Sequence, residues 1–298
     1  MTVAAIDIGT NSMRLLIVSD RGDELHREVV VTGLGTGVDA TGRFEPSRVA
    51  ETLAVMEAFR SKVDAFGSGT LGAVATSATR DAVNGHDFVG AVASRIGVTP
   101  AIVTGEREAE LSFRGAMMNL AQQPTLVIDV GGGSTEFMQG ITRPEMSVSI
   151  DIGSVRITDR CLPDHPTTAG QIRVARALAE ELFAPVPKAD GARVVGVAGT
   201  FTSLSAIASG HPTYDRTVID GSSLTLHQID GLVERLSVMT LAELEAIGPL
   251  DPRRAPVIVG GAIVAAGALR AVGAEVVTVS ESDLLDGLVL ELLTNNSR

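Results

Sequence analysis

Short apolar runs alternate along this chain with longer amphipathic stretches. Runs rich in Val, Ile and Leu are typical of buried strands, and apolar residues at helical spacing, as in 45–66, are typical of helices packed on a sheet. Two of the runs, 3–8 and 126–130, include an aspartate close to a glycine-containing turn and continue into a second strand. The pattern predicts an α/β fold with ligand chemistry at the ends of these strands.

The strand–turn–strand pattern occurs twice. AIDIGTNSMRL (5–15) aligns with VIDVGGGSTEF (127–137), and four positions match: Ile6, Asp7, Gly9 and Ser12 with Ile128, Asp129, Gly131 and Ser134. Glycine turns allow a ligand close to the backbone and can bind an anion through N–H groups, while an aspartate can hold a hard cation. One such stretch alone would fit an ordinary hairpin nearly as well. Two copies predict two related domains that face each other across a phosphate ligand.

Three further segments are candidates for anion binding. Strand 193–197 runs into AGTFTSLSAI, where Gly199 and Thr200 open a helix, and helix N-termini bind anions. Strand 71–76 runs into a hydroxyl-rich turn with Arg80, at the sheet edge where α/β proteins bind ligands, although the same hydroxyls also suit a helix start. In the glycine-dense loop 33–39, Gly35, Thr36 and Gly37 could donate N–H groups to an anion. Arg14, just past the first turn, suits a phosphate contact or a solvated strand position equally.

Composition and charge exclude several classes of protein. The 298 residues suffice for two domains, and the net charge of −12 excludes a uniformly basic nucleic-acid binder. A phosphate site would therefore need locally concentrated arginine and a metal ion. The single cysteine, Cys161, allows no intrachain disulfide. No signal peptide is recognisable and the apolar run 255–269 is interrupted by glycines, so we expect a cytoplasmic protein without a membrane span.

Six segments in order closely resemble the exopolyphosphatase / guanosine pentaphosphate phosphohydrolase family, part of the sugar kinase–actin–heat-shock chaperone superfamily: IDIGTNSMRLLI (6–17), LGTGVDATGRF (34–44), ATSATRDAVN (75–84), TGEREAELSFRG (104–115), VIDVGGGSTEF (127–137) and GVAGTFTSL (196–204). The resemblance implies two actin-like (ribonuclease H-like) domains with mixed sheets flanked by helices and an active-site cleft between them. We place these domains at 1–122 and 123–283, with a C-terminal helix, 284–298, that packs back onto the first.

The resemblance also implies Mg²⁺-dependent hydrolysis, with Mn²⁺ as another suitable cation, of a terminal phosphoryl group from polyphosphate or guanosine pentaphosphate (pppGpp). Glu108, directly before Ala109, matches the family's catalytic glutamate, and Asp7 and Asp129 match its metal positions. The implied phosphate-binding residues are Gly9, Thr10, Asn11, Ser12, Arg80, Gly131, Gly132, Gly133, Ser134, Gly199 and Thr200. Glu106 and Glu108 both fall in the first turn of a helix capped by Thr104. Because the helix dipole there favours an ionised carboxylate, we expect Glu108 to be a weak base that mainly orients water.

The chain departs from the family pattern near its C-terminus. Leu285 and Asp286 stand where family members often have Arg and Glu, and the printed sequence has no further helical region after this segment, which favours short polyphosphate chains. Three alternatives stay open: a pppGpp phosphohydrolase, which needs a guanine pocket although Tyr214 is the only tyrosine; a non-catalytic polyphosphate or nucleotide sensor; and a small-molecule kinase. A homodimer is compatible with the sequence.

Overall fold

The computed structural model describes residues 2–296. The first sheet has strand order β3-β2-β1-β4-β5, in which β1, β2 and β3 are antiparallel and β4 and β5 run parallel to β1. Its strands are β1 (Thr2–Ile8), β2 (Ser12–Ser19), β3 (Glu24–Val31), β4 (Ser68–Ala75) and β5 (Ala101–Ile102).

The second sheet repeats this arrangement. Its order is β10-β11-β9-β6-β7-β8, with an antiparallel run β6-β7-β8, parallel neighbours β9 and β11, and an antiparallel edge strand β10. Its strands are β6 (Thr125–Val130), β7 (Thr135–Gly140), β8 (Pro144–Ile150), β9 (Arg193–Val197), β10 (Ser223–Thr225) and β11 (Val276–Val279). The shared topology confirms the predicted fold class, two mixed sheets flanked by helices, and the predicted duplication.

Helices cover both sheets. The first lobe, built on the first sheet, contains α1 (Val38–Thr41), α2 (Pro46–Ala65), α3 (Ser77–Asp81) and α4 (Gly85–Ile96). The second lobe contains α6 (Ser154–Cys161), α7 (Ala169–Phe183), α8 (Ala198–Ser209), α9 (Arg216–Ile219), α10 (Leu226–Ser237), α11 (Leu241–Glu245), a 3₁₀ helix (Pro252–Val257) and α12 (Ile258–Val272). Two helices, α5 (Gly105–Met117) and α13 (Leu284–Asn296), lie where the lobes meet.

Helix α5 contacts both sheets. Leu111 packs with Val3 and Val74 of the first sheet, whereas Phe113 packs with Val127 and other residues of the second. The segment begins at Thr104, whose hydroxyl accepts a hydrogen bond from the N–H of Arg107 at 3.3 Å, as the predicted N-cap should. Its first turn is therefore fixed between the two lobes.

Helix α13 packs against α5 with their backbones in close contact. A Cβ on Gly115 would lie 1.8 Å from the carbonyl oxygen of Asp283, and one on Gly287 would lie 2.0 Å from that of Leu111. Only glycine fits at both positions, so the start of α13 is held beside α5. The predicted domain limits stay a prediction, and residues 1, 297 and 298 of those ranges lie outside the described residues.

The most apolar helix is a core element. The segment 252–272 is long and apolar enough to cross a membrane, but 72% of its most apolar window is buried within the protein. Gly260, Gly261 and most other α12 residues are buried under the second sheet's helices, which confirms the predicted buried core helix.

Candidate active site

The two predicted turns are equivalent and face each other. In each, the N–H of the first glycine donates to the serine carbonyl at 3.1 Å, Gly9 to Ser12 and Gly131 to Ser134. A Cβ on Gly132 would lie 2.9 Å from the Cβ of Thr10, so the second turn approaches the first directly. The sequence alignment of the two copies is thus reproduced in three dimensions.

The tips of both turns present unused backbone donors. Among residues 2–296, the N–H groups of Thr10, Asn11, Gly132 and Gly133 donate to no protein acceptor. These four residues line one cavity of about 780 Å³, together with Ser12 and Ser134. Successive free N–H groups in a turn attract anions, so the meeting of the two turns has the donors that an anion site would need.

Asp7 and Asp129 lie near the ends of β1 and β6, in this cavity. Asp7 is 1% exposed, and its Oδ1 atom has no hydrogen-bond partner among the described residues. Burial raises the pKa of Asp7, and the Arg14 guanidinium opposes that rise. Asp129 accepts a hydrogen bond from the Ser112 hydroxyl at 2.6 Å, and burial followed by the charge of Asp283 raises its pKa to about 6.

Glu108 lines the same cavity from the first turn of α5. It is 8% exposed, and its Oε2 atom has no hydrogen-bond partner among the described residues, although Arg80 Nη1 lies 3.5 Å away. Burial raises the pKa of Glu108 well above its usual range, with Glu136 and Asp129 contributing. The expected weak base is therefore wrong, because the loss of solvation outweighs the helix dipole. The dipole argument suits exposed Glu106, whose pKa is lowered by hydrogen bonds at the helix start.

Three comparisons with known proteins identify the chain. Residues 16–296 match the Ppx/GppA phosphatase family. The chain belongs to the Ppx/GppA phosphatase family. It is 41% identical to exopolyphosphatase 2 of Mycobacterium tuberculosis over 312 aligned positions, covering 97% of this chain and 98% of that protein.

Solved structures of the Ppx/GppA family agree with the fold. An exopolyphosphatase-like protein superimposes with a TM-score of 0.91 at 34% identity, covering 99% of this chain and all of that one. A family member from Aquifex aeolicus gives 0.81 at 30% identity, with 99% of each chain covered. The family predicted from the sequence motifs is confirmed.

The predicted anion-binding turn at Gly199 and Thr200 lies beside an arginine to which the sequence analysis assigned no role. Gly199 and Thr200, at the start of α8, line the cavity of this Ppx/GppA chain. A Cβ on Gly199 would lie 1.9 Å from Nη1 of Arg254, so the guanidinium rests on the glycine backbone. Among the described residues, no carboxylate forms an ion pair with Arg254, and burial lowers its pKa. The sequence signal, an arginine pair before the apolar helix α12, did not reveal that the second arginine enters the cavity.

The sequence left the role of Arg14 open and did not indicate any role for Glu136. Arg14 is neither a solvated residue nor a free phosphate ligand: its Nε donates to Asp7 Oδ2 at 2.8 Å, and its Nη1 forms an ion pair with Asp283. Glu136, opposite Asp129 in the β6–β7 ladder, is fully buried and accepts a hydrogen bond from Ser149 at 2.7 Å. Burial and the Asp129 charge raise the pKa of Glu136 to about 8.

Arg80 is the one predicted phosphate-binding residue that does not line the cavity. Its Nη1 donates to the Val103 carbonyl at 2.8 Å and lies 3.5 Å from Oε2 of Glu108, which lines the cavity. Its phosphate contact stays a prediction.

The glycine loop 33–39 does not provide the anion site suggested by its sequence. Gly35 donates its N–H to Thr10, Thr36 to Gly33, and Gly37 to the Asp159 carboxylate at 2.8 Å. These bonds brace the first turn and join the loop to α6 of the second lobe. The carboxylate of Asp159 occupies the donor that was expected to meet a ligand.

Proposed function

We propose that this Ppx/GppA phosphatase is an exopolyphosphatase that hydrolyses the terminal phosphoryl group of inorganic polyphosphate. The observation that carries the proposal is the meeting of two equivalent glycine turns beside the buried carboxylate of Glu108. Among the described residues, N–H groups of both turns have no protein acceptor and Glu108 Oε2 has no hydrogen-bond partner. The relatives named exopolyphosphatase support the substrate class. The cavity of about 780 Å³ has room for several linked phosphoryl groups.

The charges of the cavity call for a cation. Among the described residues, four arginines and eight carboxylates line it, so a polyanion would meet net negative charge. No three metal-binding side chains converge within residues 2–296. That donor set fits Mg²⁺, which commonly takes one or two carboxylates and completes its shell with water and substrate phosphate.

Asp7 and Asp129 are the residues that would hold Mg²⁺. The buried Oδ1 of Asp7, which has no hydrogen-bond partner in the described part of the chain, is a donor atom suited to such a cation. When bound, the cation would supply charge neutralisation to the phosphate oxygens. Mn²⁺ is the alternative cation of the same chemistry.

The turns position the substrate and Glu108 handles the proton. N–H groups of Asn11, Gly132 and Gly133 would hold the terminal phosphoryl oxygens, and Arg254 would bind further along the chain. Glu108 would orient the attacking water and accept its proton. Its raised pKa suits it to take a proton as the P–O bond to the water oxygen forms and the bond to the departing phosphate chain breaks.

A second candidate, pppGpp phosphohydrolase, is favoured by one feature of the cavity. Tyr214, Pro249 and Leu250 line it together and offer an aromatic and apolar surface for a guanine base. The sequence did not indicate this surface, because Tyr214 lies far along the chain from the adjacent Pro249 and Leu250.

Phosphate release from short polyphosphate, long polyphosphate and pppGpp, measured in parallel with Mg²⁺ or with EDTA, tests the proposal. We expect Mg²⁺-dependent release from polyphosphate that is lost in Glu108→Ala, with the ratio of short to long chains giving the length preference. Faster release from pppGpp would favour the second candidate. Tight polyphosphate binding without release by folded protein would favour a sensor and overturn the enzyme assignment.

A further inference from the structure

The start of α13 delivers an extra carboxylate to the centre of the site. Asp283 is 4% exposed and lines the cavity with Asp7 and Asp129. It lies in the stretch where the chain departs from its family's usual sequence. None of the sequence motifs assigned this residue a role.

The position of Asp283 is fixed from three directions. Its Oδ1 accepts the N–H of Leu285 at 3.1 Å, and its own N–H donates to the Asp286 carboxylate at 3.0 Å, which is a reciprocal cap on the helix. Its carbonyl lies against Gly115 of α5, as described above. The carboxylate therefore cannot move away from the cavity without losing its cap hydrogen bond to Leu285.

Arg14 joins Asp283 to Asp7. The guanidinium uses Nε and Nη2 on Asp7 Oδ2, at 2.8 and 2.6 Å, and Nη1 on Asp283. Because Asp7 Oδ2 is taken by Arg14, Oδ1 is the Asp7 oxygen that has no hydrogen-bond partner within residues 2–296. The Arg14–Asp7 pair thus leaves Oδ1 as the Asp7 oxygen open to a ligand, while Asp283 holds the other end of the same guanidinium.

We propose that Asp283 is a positioning residue that commits Arg14 to Asp7, so that the site favours a divalent cation over a bare phosphate group. The inference rests on the proposed cation site at Asp7 and Asp129. Two effects act in the same direction. Asp283 adds negative charge near both aspartates, and it occupies the Arg14 donors that would otherwise be free to bind a phosphate oxygen.

Asp283→Asn provides the test, because asparagine caps a helix as well as aspartate and still accepts a hydrogen bond, while the charge is lost. Asp283→Ser is the second variant, since serine also caps but is too short to reach Arg14. Asp286→Asn is the matched control: it removes the same charge from the same helical turn, but its carboxylate pairs with Arg27 and not with Arg14.

Two binding measurements on the full chain, without turnover, distinguish the proposed positioning role of Asp283 from a purely structural role. Mn²⁺ binding is followed by electron paramagnetic resonance, and tripolyphosphate binding in EDTA by calorimetry. We expect Asp283→Asn to bind Mn²⁺ about tenfold more weakly and tripolyphosphate about tenfold more tightly, because unit charges a few ångströms apart interact at that scale or above. Asp286→Asn should change both affinities by less than about twofold, since charge effects fall with distance.

Opposite changes in the two affinities are the signature of the proposed role. A purely structural Asp283 would leave both affinities unchanged or weaken both, and either result would overturn the inference. If the wild-type protein bound no Mn²⁺, the proposed cation site would be wrong. The tripolyphosphate measurement would still decide whether Asp283 restrains Arg14.

Discussion

Glu108→Gln removes the negative charge of the proposed base and keeps its size. Glutamine can neither accept a proton from water in the transition state nor balance the Arg80 guanidinium 3.5 Å away. Loss of a positioned acid–base group typically lowers the rate about 10²–10⁴-fold. Since each factor of ten is 1.36 kcal/mol, the barrier should rise by about 3–5 kcal/mol.

The structure also predicts that the variant folds. Glu108 is buried and its Oε2 has no hydrogen-bond partner among the described residues, so the ionised carboxylate is costly to bury. An uncharged glutamine removes that cost. The melting temperature of Glu108→Gln should therefore equal or exceed that of the wild type while the activity is lost.

Glu106→Gln is the matched control. Glu106 shares the first turn of α5 but is exposed and lies outside the cavity lining. Phosphate release from tripolyphosphate and from long chains, with kcat and KM determined separately, should be lost in Glu108→Gln and nearly unchanged in Glu106→Gln. Retention of more than about a tenth of wild-type kcat by Glu108→Gln would refute its role as base, given the usual size of such contributions. An equal loss in both variants would point to charge at the helix start.

Three further predictions follow from burial and close contacts. The pKa of Glu136 is about 8 in the folded state and 4.5 in the unfolded state, so between these pH values the folded state binds one more proton. The free energy of unfolding in EDTA should therefore fall as the pH rises from 4.5 to about 8. Melting curves of Glu136→Gln should show a smaller dependence on pH, and an unchanged dependence would contradict the prediction. Gly199→Ala would place a Cβ 1.9 Å from Arg254 Nη1 and should displace the guanidinium. Because charge-assisted phosphate contacts are strong, we expect KM for polyphosphate to rise about tenfold at an unchanged melting temperature. An unaltered KM would show that Arg254 does not contact the substrate. Gly115→Ala should lower the free energy of unfolding by about 1–3 kcal/mol or more, because the added Cβ would separate α5 from α13. Gly90→Ala is the control: the space beside Gly90 is open, so this change should be neutral or stabilise the protein by up to about 1 kcal/mol. Denaturant unfolding would measure both changes.

Features carried by neighbouring residues were predictable from the sequence. The two turns, the helix starting at Thr104 and the core helix α12 depend on strand ends, caps and apolar spacing within a few residues. The repeat of one pattern in 5–15 and 127–137 then located both halves of the cleft. The short elements β10 and α9 were not predicted, because three or four residues are too few to show a periodic pattern of apolar positions.

Features that join distant segments could not be predicted. Arg14 and Asp283 meet only because α13 returns to the first sheet, and Arg254 meets Gly199 only because the 3₁₀ helix before α12 lies beside α8. The prediction for the pKa of Glu108 was wrong for the same reason. The helix dipole can be inferred from neighbouring residues in the sequence, whereas the burial that raises this pKa depends on the packing of both lobes.

The return of α13 has a consequence for how the protein is made. One face of the first sheet, with Val3, Val18 and Val74, is covered by α5 and by Leu284 and Leu288 of α13. Chains emerge from the ribosome N-terminus first, so α5 is made directly after the first sheet, whereas α13 is synthesised long after it. We therefore expect the part of this apolar face that α13 covers to stay exposed until the end of the chain has been synthesised. Asp283 at the start of the same helix pairs with Arg14, so we expect the first lobe and the site to be completed together when α13 docks.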